Sequence, residues 1–321
     1  MRKISVYILY FIIFLTVIGT SCTGTENSIE NTYEQSLMPA NSLSDIPVFS
    51  AEAGFYYNEF YLTITGNGTI HFTLDGSVPT SLSAVYTNPI LIHSPDPIPE
   101  NSPMSSGVRL RSINNYYNAM VVRAVLVAPD GSYSDIVTRT FFVDKNGRSK
   151  FSTPVISVSI NSEYFTGDEL GMYRNWSVDF RHPAYIEVFY PNGDFMLSQS
   201  AQMRVSGNSS RAKAKKQLRF NFNRGCGVID NPDFISGTKK GFHAPDEPVT
   251  LFKHATARVS DWSDVYFYPA TTFREIFTAY LGESLRPDVM NSVFAAVFVN
   301  GEFWGMYDWR EHRSDVFIAA R

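Results

Sequence analysis

From Ile46 to Val143 apolar and polar positions alternate at period two, the spacing of strands with one face in a core. "FYLTITG" (60–66) and "TIHFTLDG" (69–76) alternate on either side of a Gly-Asn-Gly turn. "VVRAVLVAPDGSYSDIVTRTFFV" (121–143) reads as two strands joined at Pro-Asp-Gly. Strands this closely spaced over residues 46–145 predict a small β-sandwich. "LIHSPDPIPENSPMSSG" (91–107), rich in Pro and Ser, predicts a long surface loop.

After Pro154 the pattern changes. "AYIEVFYPNGDFMLSQSAQMRVSG" (184–207) predicts a strand, a Pro-Asn-Gly-Asp turn and further strands, and "QLRFNF" (217–222) puts Leu218, Phe220 and Phe222 on one face. Between them Arg211, Lys213, Lys215 and Lys216 fall within six positions of a Gly/Ser-containing loop, which therefore joins two antiparallel strands. "TTFREIFTAYLGESL" (271–285) changes to helical period, with Phe273, Ile276, Phe277, Tyr280 and Leu281 on one stripe, a Thr272/Glu275 capping box and a stop at Gly282. "VFAAVFVNGEFWGMYDWREHR" (293–313) predicts a hairpin whose Asn300-Gly301 pair favours a type I′ turn. The fold class is thus mainly β: a sandwich, then an α+β half of antiparallel sheet plus helix.

The N-terminus is a different kind of segment. Arg2 and Lys3 precede an apolar run at 4–18, and "GTSC" ends in small residues before Cys22, the layout of a secretory signal. It resembles a bacterial lipoprotein signal, in which residues 1–21 are removed and Cys22 is lipidated, although Gly19 stands where Leu is usual. Plain secretion and a retained anchor are the alternatives. Residues 22–45 then form an acidic tether, carrying four acids and no base. Removal of 1–21 changes the net charge from −4 to −6, which argues against nucleic acid as a partner and makes the basic loop a local feature. With Cys22 acylated, Cys226 has no disulfide partner.

"IHFTLDGSVPTSLSAVYTNPI" (70–90) and the strands at 121–141 resemble a chitobiase/β-hexosaminidase C-terminal-type domain, with Phe72 in place of the usual Tyr. The resemblance implies that the sandwich is an Ig-like β-sandwich, an accessory module without catalysis. "FYYNEFY" (55–61) and "NNYYN" (114–118) offer aromatic rings for sugar stacking, or simply alternate into the core. Asp75 and Asp130 precede Gly in turns, where bonding to their own backbone accounts for them.

The second half resembles the CotH kinase family, the kinase-like proteins first known from bacterial spore coats. "MRVSGNSSRAKAKKQLRF" is similar to the family's Arg-x-x-Gly-x-Ser-Ser-Arg…Lys-Lys-Ser pattern, with Gln217 at the Ser. "FVNGEFWGMYDWREHR" is similar to its Asn-Gly-Glu-Tyr-Trp-Gly-x-Tyr-x-x-x-Glu. The resemblance implies that residues 150–321 form a kinase-like N-terminal half, incomplete at its C-terminus. It also implies nucleotide contacts at Gly207, Ser209, Ser210, Arg211, Lys216 and Glu311, with Lys216 and Glu311 converging on one cleft. Gly207, the serine hydroxyls and the cations suit a polyphosphate on physical grounds too; a solvated hairpin explains the loop equally simply.

The chain ends ten residues past Glu311, before the family's catalytic and metal-binding carboxylates. The resemblance therefore implies ATP and Mg²⁺ for a full-length relative, no tightly bound cofactor here, and an inactive chain on its own. Asp261, Asp264 and Glu283 have no metal-site spacing, and the histidines of "HPAYIE" and "REHR" are lone. Three readings follow: an extracytoplasmic, membrane-anchored CotH-type lipoprotein; a non-catalytic surface adhesion protein that binds a protein or polysaccharide; and a truncated gene product.

Overall fold

The computed structural model describes residues 45–95, 118–212, 215–222, 229–230, 251–252, 254–258, 277, 281 and 292–311. The first body is a sandwich. One layer is a five-stranded sheet in the order β2 (Gly54–Tyr56), β9 (Val137–Val143), β8 (Met120–Val127), β5 (Thr69–Thr73), β6 (Ala84–Val85). Two short pairs complete it, β1 (Val48–Phe49) with β4 (Ile64–Thr65), and β3 (Phe60–Leu62) with β7 (Ile90–Ile92). Leu62, Ile64, Ile70, Ile92, Val122, Ala124, Leu126, Phe141 and Val143 fill the space between the layers.

The expected strand pair at 121–143 is there as β8 and β9. The two segments flanking Gly-Asn-Gly form strands but do not pair with each other: β3 and β4 go to the short ribbons while β5 enters the large sheet. The predicted surface loop begins later than expected, because Ile90–Ile92 is a strand and Ile92 is wholly buried. The rest of that loop, from 96, lies outside the described residues.

The second body is a closed barrel. Its strands run in the order β10 (Val155–Ser159), β11 (His182–Phe189), β12 (Phe195–Ser206), β13 (Gln217–Asn221), β16 (His254–Arg258), β18 (Glu302–Glu311), β17 (Ser292–Val299). A short ribbon, β14 (Ile229–Asp230) with β15 (Leu251–Phe252), stands apart. The antiparallel sheet expected from the sequence is present, and one parallel pairing, β10 with β17, closes it. Period-two alternation sends Ile156, Val158, Ile186, Val188, Met203, Val205, Leu218, Phe220, Val297 and Trp309 inward. The only α-helix with defined bounds among the described residues, α1 (Ser162–Thr166), is capped by the Asn161 side chain accepting from the Glu163 N–H. Of the helix expected at 271–285, Phe277 and Leu281 are helical, and both are exposed, at 50% and 61%; its other residues lie outside the described ones.

The two bodies share a third core. The second face of the five-stranded sheet meets the outside of β10, β11 and β17, joining Phe55, Phe142 and Ala119 to Phe189, Ala296 and Phe298. Phe142 is central: it stacks on Phe55 at 4.5 Å and meets Phe298 and Phe189 edge-on at 5.1 and 5.5 Å. Double-sided burial explains why β8 reads as a nearly continuous apolar run.

The Asn300-Gly301 turn has φ of +51° and +84°, as a type I′ hairpin requires, and it is wedged into this junction. Asn300 Nδ2 donates to the Ile160 carbonyl, and Asn300 Oδ1 accepts from the Ile160 N–H. The Ala119 N–H donates to the Gly301 carbonyl across the two bodies.

Candidate functional site

The basic loop lies at the mouth of the barrel where β12 ends and β13 begins. Gly207 has φ +111°, and a Cβ there would overlap Ser210 Oγ, so the tight start of the loop depends on glycine. Ser209–Ala212 then form a single 3₁₀ turn.

The cations of the loop end on backbone carbonyls. Arg211 Nη2 donates to the Val178 carbonyl at 2.8 Å, Lys215 Nζ to Met306 at 2.6 Å, and Lys216 Nζ to Arg211 at 2.7 Å. Lys213 lies outside the described residues.

Lys216 is buried. Its Nζ lies 5.2 Å from the Tyr173 ring centroid and 5.8 Å from that of Trp176, and its backbone N–H donates to the Tyr173 hydroxyl. Burial lowers its pKa to about 8. Lys215 turns to a different partner. The register of β17 and β18 shifts at Val297/Phe298, opposite Phe303–Gly305, and this bulge lets both Trp304 and Tyr307 face the barrel core. The Lys215 ammonium bonds to the Met306 carbonyl beside the bulge and sits 4.3 Å from the Tyr307 ring centroid. Sequence reasoning missed this role. The Gly305 that accompanies the bulge, at φ +126°, was its only signal.

Glu311 ends β18 opposite Ala255, and Ala255 pairs in turn with Phe220. Lys216 therefore lies four residues along β13 from the row that contains Glu311, with β16 between their strands. The side chains of Ser209 and Glu311, and all of Cys22, lie outside the described residues.

A polyphosphate fits the loop in two respects. Gly207 is a cradle that a Cβ would fill, and Arg211 Nε is a buried donor without an acceptor. For Mg²⁺ the fit is poor, since the described residues bring no three Asp, Glu, His or Cys side chains together.

The other singled-out residues have local explanations. Asp75 and Asp130 accept from the N–H and hydroxyl of Ser77 and Ser132. His182 is packed between Tyr164 and Phe180 and bonds to the Leu170 carbonyl. Burial lowers its pKa against that bond. Of the aromatic segment at 55–61, Phe55 is core, whereas Tyr57 and Tyr61 are 61% and 67% exposed. Tyr57 borders a cleft of about 480 Å³ with Asn58, Glu59, His93, Asp144 and Lys145. Its ring is held against Gly147, where a Cβ would come within 2.6 Å. Tyr116 and Tyr117 are outside the described residues. Among the described residues, no helix is long and apolar enough to cross a membrane.

These features define a β-sandwich joined through a shared core to a closed β-barrel. Residues 60–141, from β3 to β9, match the family described as Fn3 associated. No curated protein matches the chain, and no solved structure matches it.

Proposed function

We propose that this is an extracytoplasmic protein, lipid-anchored at Cys22, whose barrel descends from the CotH kinase family and takes a nucleotide's phosphates on the loop from Gly207 to Lys216. On this reading strands β11, β12, β13, β16 and β18 correspond to a kinase-like N-terminal half, and the sandwich is an accessory module of chitobiase C-terminal type. The carrying observation is the convergence of the Gly207 turn, the unmet Arg211 Nε and the buried Lys216 amine at one barrel mouth.

ATP, when bound, supplies anionic oxygens and a transferable phosphoryl group. The chain's own residues bind and orient it: backbone N–H groups follow Gly207, Ser209 and Ser210 offer hydroxyls, and Arg211 and Lys216 supply charge. An anion beside Lys216 offsets the cost of burying its ammonium and raises its pKa. Among the described residues no carboxylate set comes together for Mg²⁺, so this reading covers nucleotide binding alone.

Thermal unfolding with and without Mg-ATP tests this, comparing wild type with Lys216→Ala. ATP is expected to stabilise wild type and not the variant. Superimposable ATP responses in the two proteins would remove the nucleotide assignment.

A second reading, a surface module that binds polysaccharide, is favoured by the Tyr57 cleft. It combines a held, exposed ring with planar polar side chains, the means by which proteins grip the apolar face and hydroxyls of a sugar. Polysaccharide pull-down that persists unchanged in Tyr57→Ala would count against it.

A further inference from the structure

The outer face of β12 and β13 carries an excess of positive charge that the loop reading does not use. Arg204 and Arg219 stand directly opposite each other in register, an arrangement that like charges disfavour. Beside them lies the segment 178–181. Asp179 accepts from Arg204 Nη1 with both oxygens, at 2.7 and 2.8 Å, and from Arg181 Nη2 at 3.1 Å. Its neighbour Val178 supplies the carbonyl that holds Arg211. Two guanidinium groups thus share one carboxylate, with Arg219 beside Arg204 and Arg211 at the edge.

Arg219 gains least from this arrangement. Among the described residues its side chain makes no hydrogen bond or ion pair, and its Nε is buried without an acceptor. The Nε atoms of Arg204 and Arg211 are also buried and unmet. Burial, then the charges of Arg204 and Arg181, lower the Arg219 pKa to about 10, while Asp179 works the other way. Asp179 itself is held below the usual carboxylate range, burial being outweighed by Arg204 and Arg181. An arginine kept half-buried beside two others, with donors unmet, is in an unfavourable position that an oxyanion corrects.

We propose that Arg204, Arg219 and Arg181, with Arg211 at the edge, form a receptor for a phosphate dianion on the outer face of the barrel. A phosphate brings nearly two negative charges and three or four acceptor oxygens, which match several guanidinium donors better than a carboxylate does. The site touches the nucleotide loop only through Arg211: Lys216 packs under Tyr173 and Trp176 at the barrel mouth, whereas Arg204 and Arg219 alternate with the inward-facing Val205, Leu218 and Phe220 and so face outward. The same chemistry serves free phosphate and a terminal phosphomonoester.

The test is thermal unfolding of the full chain at constant ionic strength, titrated with inorganic phosphate or O-phosphoserine against matched chloride. Wild type is expected to rise saturably with phosphate, and Lys216→Ala to respond as wild type does. Arg219→Met is expected to melt no lower than wild type in chloride, because it removes an unpaired cation, yet to bind phosphate about ten-fold or more weaker. Arg181→Gln, which removes a guanidinium bonded to Asp179, weakens phosphate in the same direction and serves if Arg219→Met does not fold. O-phosphoserine matching phosphate assigns the site to esterified phosphate; weaker binding assigns it to the free anion. The proposal is overturned by a wild type that shows no saturable response, by an Arg219→Met that responds as wild type does, or by a response lost in Lys216→Ala and kept in Arg219→Met.

Discussion

Glu187 makes the stability of this protein depend on pH in a direction opposite to that of its ion-paired carboxylates Asp144 and Asp179. It sits on β11 at the junction between the two bodies and is 1% exposed. Thr140 on β9 of the sandwich donates to it twice, from its N–H to Oε1 at 3.3 Å and from its hydroxyl to Oε2 at 2.5 Å, and Ser157 bonds to the same hydroxyl at 2.8 Å. Burial drives its pKa up to about 7, against the opposing pull of the Thr140 bonds and the charges of Arg139 and Arg123. Its ordinary value is 4.5. Between the two values the native state holds a proton that the unfolded chain has released, so stability falls as pH rises through that window. At 1.36 kcal/mol per pH unit, the loss approaches about 3 kcal/mol by pH 7 and levels off above it.

Urea unfolding of wild type and Glu187→Gln at pH 5, 6, 7 and 8 measures this. The amide cannot ionise, and it still offers Thr140 an acceptor. The gap between the two proteins is expected to open in favour of the variant by about 2.5 kcal/mol from pH 5 to 8. Taking the difference cancels the titration of groups common to both, including Asp144 and Asp179, whose depressed values give slopes of the opposite sign at acid pH. A gap that stays constant with pH, or widens in favour of wild type, refutes the reasoning.

Other positions test the junction and the barrel mouth. Gly301→Ala places a Cβ over the Ala119 carbonyl oxygen at φ +84° and is expected to cost about 2 kcal/mol or more in unfolding free energy. Phe142→Ala empties the centre of the shared aromatic core and is expected to cost about 3–5 kcal/mol, read from the denaturation midpoint. Lys215→Met removes the bond to the Met306 carbonyl beside the bulge and is expected to cost about 1–3 kcal/mol. It should leave the phosphate response at Arg219 unchanged, which titration of the variant checks.

Most of the strands were legible because period-two alternation is a local property. Leu218, Phe220 and Phe222 all proved to be wholly buried, and Asn300-Gly301 took the positive φ values of its turn type. Pairing is not local, and there the reading fell short. Nothing in "FYLTITG" says that its halves leave for different ribbons. Nor does "VISVS" announce that β10 will lie parallel to β17, some 140 residues away, and close the barrel. The junction was invisible for a related reason. Phe142 and Phe298 look like ordinary strand residues until both faces of β9 and β17 are known to be covered.

The site was legible as charge and not as connectivity. Sequence spacing shows that Arg211, Lys215 and Lys216 are close, and a phosphate loop follows from that only if their ammonium and guanidinium ends are free. The fold gives each a carbonyl instead, from Val178, Met306 and Arg211. A nucleotide at this mouth must therefore compete with bonds already made, and its affinity is the difference between the two sets. Arg219 is in the reverse position. It stands in "QLRFNF" as the polar partner of an alternating strand, and no motif marks it. Yet the register sets it opposite Arg204 with its Nε unmet. Among the described residues the Arg219 side chain has no hydrogen bond for an anion to displace, so at that position the competition met at the mouth does not arise.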